Sequence, residues 1–193
     1  YYRELRKAPN KVFSSRDEFR NEAYKLFDAH LLYAPWNKLY RHSYITKHSL
    51  RFPDASRDDL PFNLAVMREV ERVGCMDGSF YHFLRKKGAK QLEYYTDLYA
   101  RREEEHQKMK ELFEYWGVST PAVQEFLARR YAERLVGCIE NITSCNCTLS
   151  PEEKKAAIRE MISTPQAREA LKLAKPRTKL MSLILCPLRM GNV

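Results

Sequence analysis

The sequence predicts a helix-dominated chain: an α/β segment with few strands at the start, then an all-helical region. Three observations predict it. Apolar residues recur at helical spacing through most of the 193 residues. Only Val73 to Phe83 reads as an internal strand, and an Asp77-Gly78 turn signal interrupts it. Between residues 90 and 175 no strand pattern occurs, and Ser-Pro and Thr-Pro pairs mark successive helix starts.

Taken in order, residues 1–12 are polar, with Tyr1-Tyr2 as the end of a strand. Ser15-Arg16-Asp17-Glu18 has the spacing of a capping box. Phe19, Ala23, Phe27 and Leu31 follow it, so a helix is expected from about 16 to 32. Pro35 breaks it, and a shorter helix is expected from Trp36 to Ile45. Ser49 to Phe52 is a short apolar segment ending at Pro53. Pro61 is tolerated only in a first helical turn, so Asp58 or Asp59 is the expected N-cap, with Phe62, Val66 and Val70 on one face. Leu92, Tyr95, Tyr99, His106, Met109, Phe113 and Trp116 then mark a long amphipathic helix that stops at Gly117. Thr120-Pro121, Ser150-Pro151 and Thr164-Pro165 open three more. The tail, Lys175 to Val193, carries no acid. Its basic residues bracket Leu180 to Leu185, which suits either a membrane interface or an element packed on the core. The division implied is 1–88, 89–174 as a helical bundle or arm, and 175–193 as a basic amphipathic tail.

Composition narrows the function. A net charge of +9 points to an anionic partner or to plain solubility. No apolar run is long enough to cross a bilayer, and no signal-peptide pattern opens the chain. It starts at Tyr1 rather than Met, as a piece of a longer protein would. Five cysteines, at 75, 138, 145, 147 and 186, do not form the even framework of a small secreted domain, and Cys145-Asn146-Cys147 lacks a second pair to make a zinc site. The sequons at Asn141 and Asn146 matter only outside the cell. A nucleic-acid role is disfavoured, because Glu103-Glu104-Glu105 directly follows the Tyr94, Tyr95, Tyr99 and Arg101-Arg102 cluster that would bind it.

Two clusters carry chemistry. Ala34-Pro35-Trp36-Asn37-Lys38-Leu39-Tyr40 joins an aromatic wall to reaching polar groups. Asp58-Asp59-Leu60-Pro61-Phe62-Asn63, preceded by Arg51-Phe52-Pro53, sets carboxylates at a helix start. Alone, the first is simplest as a packed tryptophan with a solvated flank, and the second as a helix cap. Together they could hold a polyhydroxylated molecule and take a proton from it. Tyr81-His82-Phe83-Leu84-Arg85 follows them.

In this order the segments resemble the second half of family-two glycosyltransferases of the GT-A fold, most closely bacterial enzymes of surface-glycan synthesis. There the segments read roughly W-N-K-L-Y, R-F-P, E-D-x-x-F-N and Y-x-Y-x-R. The likeness is good over about residues 30 to 88 and weak toward both ends. It implies Asp59 as general base, and Asp58 as a substrate contact where the family usually has Glu, one methylene longer. Trp36, Asn37 and Lys38 would line the acceptor side, while Tyr81 and Arg85 close the site. Phe83 stands where a second Tyr is frequent. It further implies inversion, a nucleotide-sugar donor, a glycan or lipid-linked acceptor, and a cytoplasmic place, peripheral at the inner membrane face. A divalent metal (Mn²⁺ or Mg²⁺) is expected in the intact enzyme, held by an Asp-x-Asp motif that this sequence lacks. His82 is a minor candidate ligand. The donor-binding half is thus expected outside this chain, leaving it inactive alone. The alternative is a non-enzymatic basic helical module that binds nucleic acid or a membrane surface.

Overall fold

The computed structural model describes residues 7–53, 59–78, 80–82, 84 and 93–191. The chain is helix-dominated, with eight helices and two short strands among those residues. It divides into two compact units, one from Tyr1–Leu84 with Lys108–Ser119 and one from Arg85–Gln107 with Thr120–Val193. Tyr1-Tyr2, Leu92 and all of residues 54–58, with Asp58 of the acidic pair, lie outside the described residues.

In the first unit, strand β1 (Lys11–Phe13) pairs antiparallel with β2 (Val73–Cys75), Val12 opposite Gly74. Of the expected strand from Val73 to Phe83, the described residues form strand only over Val73–Cys75. Its partner is a segment of three residues, too short to show alternation in sequence. Helix α1 (Arg16–Asp28) starts at Ser15, whose Oγ accepts from the Glu18 N–H at 3.1 Å. The Glu18 carboxylate reaches one residue further back than a capping box requires, accepting from the Ser14 N–H and hydroxyl, both at 2.8 Å. The helix ends in a left-handed turn at His30, with the Leu31 N–H donating to the Leu26 carbonyl.

Helix α2 is His42–Lys47, not the expected Trp36 to Ile45. Residues 34–40 are instead a loop, for reasons that lie in the site. Helix α3 (Asp59–Arg68) has Pro61 in its first turn. Its orphan C-terminal carbonyls find side-chain donors: Val66 O takes the Tyr44 hydroxyl at 2.7 Å, and Arg68 O takes Arg20 Nη2 at 3.0 Å and Trp116 Nε1 at 3.2 Å. Helix α4 (Leu98–Tyr115) begins later than the tyrosine spacing predicts and stops as expected at Gly117, φ +67°. Its final turns supply Met109, Leu112 and Phe113 to this unit's core. There Phe13, Phe19, Trp116 and Phe113 meet edge to face in sequence, with centroids 5.4–5.9 Å apart.

In the second unit, α5 (Pro121–Thr143), α6 (Pro151–Ser163) and α7 (Pro165–Leu173) each begin with proline behind a Thr or Ser N-cap, as the dipeptides predict. Ser150 and Glu153 complete a reciprocal capping box. The tail forms α8 (Lys179–Arg189), capped by Thr178, with Leu185 and Leu188 buried in the core of this unit. Arg189 ties it down by donating to the Leu171 and Ala174 carbonyls at the end of α7, at 2.8 and 2.6 Å. Asn141 is not a free sequon. Its amide pairs both ways with the Tyr95 backbone, at 3.0 and 2.8 Å.

Candidate functional site

The site grows from the turn that ends α1. The left-handed His30 swings the chain into the 31–40 loop and points the Leu31 carbonyl back across it. Asn37 Nδ2 donates to that oxygen at 3.0 Å. Lys38 folds inward and donates to Leu31 O at 2.7 Å, to Ala34 O, and to Asn37 Oδ1 at 2.8 Å. The ammonium therefore replaces the backbone ladder that a helix from Trp36 would have made. Burial lowers the Lys38 pKa to about 8, against the pull of the nearby Asp59 and Cys75 charges.

With its neighbours turned inward, Trp36 faces outward and is 47% exposed. Tyr81, 50% exposed and distant in sequence, stacks on it with centroids 5.9 Å apart and planes 28° from parallel. The two stacked rings together leave a half-open aromatic platform at the surface. Asn37 is exposed, and so is His82, beside the platform in sequence.

Asp59 opens α3 and is partly buried. Its charge opposes the lowering of Lys38 and helps burial raise the Tyr40 phenol to about 12. The carboxylate thus lies within electrostatic reach of two residues of the platform loop. Asp58 and Arg85 lie outside the described residues, as does Phe83. Among the described residues no group of three or more His, Cys, Asp or Glu could hold a metal ion, and the whole sequence has no Asp-x-Asp. The described residues therefore offer no set that fits the metal the resemblance implies.

Asn63, in the sequence no more than the end of the acidic segment, links the head of α3 to the loop. Asn63 is fully buried. Its Nδ2 donates to Asp59 O at 2.7 Å and Tyr33 O at 3.1 Å, and its Oδ1 accepts from the Tyr40 hydroxyl at 2.6 Å. Its neighbour Phe62 is edge-on to Tyr40 and stacked on Phe52 at 3.9 Å. The sequence did carry a signal: one amide set between Phe62 and Leu64 on a helix whose other interior positions are apolar.

Over 166 residues, 84% of its length, the chain is 22% identical to EpsJ, an uncharacterized glycosyltransferase of Bacillus subtilis (strain 168). It spans 47% of that protein's length. No family model matches the chain, and no solved structure does. The likeness relates the chain to a glycosyltransferase.

Proposed function

We propose that this chain forms the acceptor side of an inverting, family-two-type glycosyltransferase of the GT-A fold, with Asp59 as the general base. The observation that carries the reading is the half-open Trp36–Tyr81 platform, raised on a loop whose Lys38 and Tyr40 sense the Asp59 charge. A sugar ring has apolar C–H faces that suit such aromatic surfaces, and Asn37 stands exposed beside the platform to orient its hydroxyls. An acceptor hydroxyl is a poor nucleophile until it loses its proton. Asp59 takes that proton as the oxygen attacks the anomeric carbon. The bond from that carbon to the nucleoside diphosphate breaks as the new one forms, and its electron pair leaves with the diphosphate. Such base assistance is worth roughly 10²–10⁴-fold. Asp58 and Arg85 keep the roles the resemblance implies, an acceptor contact and a cation toward the leaving diphosphate.

The test is nucleoside diphosphate release by the protein made from its complete coding sequence, with a panel of UDP-, GDP- and dTDP-sugars and glycan or lipid-linked acceptors. Release that depends on the acceptor, and an acceptor KM raised by Trp36→Ala, are expected. No release from any donor and acceptor pair overturns the reading.

A second observation favours a membrane surface as the place of action. Helix α8 buries one apolar stripe, yet Leu180 and Leu183 on its other side are 67% and 71% exposed, and Met190 is exposed too. Lys175, Arg177 and Lys179 stand at its start without a single acid in the tail. That pairing suits anionic lipid headgroups over an acyl boundary. Because α8 is also part of a core, deleting it would confuse binding with folding. Leu180→Ser with Leu183→Ser is the cleaner variant. It should lose co-sedimentation with phosphatidylglycerol vesicles, and equal sedimentation of variant and parent removes the tail from this role. No described helix is long and apolar enough to cross a membrane.

A further inference from the structure

We infer that Asn63 is a positioning residue that sets the place of Asp59 relative to the aromatic platform, and that Tyr40 is the arm through which it does so. This rests on the proposed role of Asp59 as base. The three bonds of Asn63 join the two halves of the site and nothing else. One donor goes to the backbone oxygen of Asp59 itself, the other to Tyr33 at the root of the loop, and the acceptor takes the hydroxyl of Tyr40 at its far end. The amide is wholly out of solvent, so water cannot replace a lost partner. Between those two anchors the loop is already stiffened from within by Asn37 and Lys38. Through its bonds to Tyr33 and Tyr40 the amide thus ties both ends of the stiff loop to the helix that begins with Asp59.

The geometry also explains why an amide is needed. The site offers two backbone carbonyls and one hydroxyl. Asn supplies two N–H donors and one oxygen acceptor, matching all three. A carboxylate would face two carbonyl oxygens with no proton, and an alkyl group would leave three polar atoms without this partner.

The experiment is steady-state kinetics on the protein made from its complete coding sequence, comparing Tyr40→Phe, Asn63→Ala, the double variant and Asp59→Asn. Tyr40→Phe keeps the ring against Phe62 and both Asn63 donors, so the fold survives to be assayed. The expected result is a fall in kcat of roughly 10- to 100-fold in Tyr40→Phe, the scale of a small misplacement of a reacting group. The KM for the nucleotide sugar stays unchanged. Asn63→Ala, if it folds, falls further, and adding Tyr40→Phe to it costs nothing more, because the two act through one bond. If Asn63→Ala does not fold, Tyr40→Phe decides alone. Parental kcat in Tyr40→Phe alongside an inactive Asp59→Asn overturns the positioning role and leaves the base assignment standing. Full turnover by Asp59→Asn overturns the base assignment, and this inference with it.

Discussion

Lys38→Met separates a loop staple from a substrate contact. The Lys38 ammonium gives charge-assisted bonds to Leu31 O, Ala34 O and Asn37 Oδ1. Such bonds contribute about 1.5–3 kcal/mol each. Burial opposes them: the fall from 10.5 to about 8 corresponds to roughly 3 kcal/mol. Methionine fills the same space but offers no donor, so the net loss is about 2–5 kcal/mol. Urea unfolding should show a lower midpoint with an unchanged slope. A pH arm sharpens the assay. Because the folded-state value lies below the unfolded one, the native protein sheds this proton first. The unfolded chain then holds more protons between about pH 8 and 10.5, and stability from this group rises with pH across that window. Lys38→Met should lack the rise. A variant as stable as the parent at every pH, yet unable to bind acceptor, would refute the staple and make Lys38 a substrate contact.

Other parts of the chain yield further expectations. Ser14 and Lys11 bonds hold the Glu18 carboxyl near 2, well below 4.5. Its contribution is therefore complete above about pH 4.5 and lost as pH falls toward 2, and Glu18→Gln should flatten that limb in acid unfolding followed by circular dichroism. In α8, Leu185 is buried whereas Leu183 is exposed. Leu185→Ala should cost about 2–5 kcal/mol and Leu183→Ser less than about 0.5 in the same denaturant titration. Equal effects would contradict the two-faced reading of that helix.

Helix starts were legible because Thr120-Pro121, Ser150-Pro151 and Thr164-Pro165 combine a cap with a residue fitted only to a first turn. The stop at Gly117 was legible for the same local reason. The β1–β2 pairing was not, since three-residue strands carry no period and their contact is long-range. The 34–40 loop was not legible because Pro35 reads as a boundary between two helices, and only tertiary placement turns Lys38 onto the loop's own carbonyls. The tail supported two readings because α8 has two apolar stripes, one facing the core and one facing out. Within the site, Trp36, Tyr81 and Asp59 could be named from residue type and order. The bonds of Asn63 could not, because an amide shows its three partners only when the chain is folded.

The most direct measurement of the central claim is the turnover of Asp59→Asn beside its binding of the nucleotide sugar, on the protein made from its complete coding sequence. Asparagine keeps the size of the side chain and its place at the head of α3, but cannot accept the acceptor's proton. The account predicts a fall in kcat of roughly 10²–10⁴-fold with donor affinity unchanged by calorimetry. Parental turnover in that variant would contradict it.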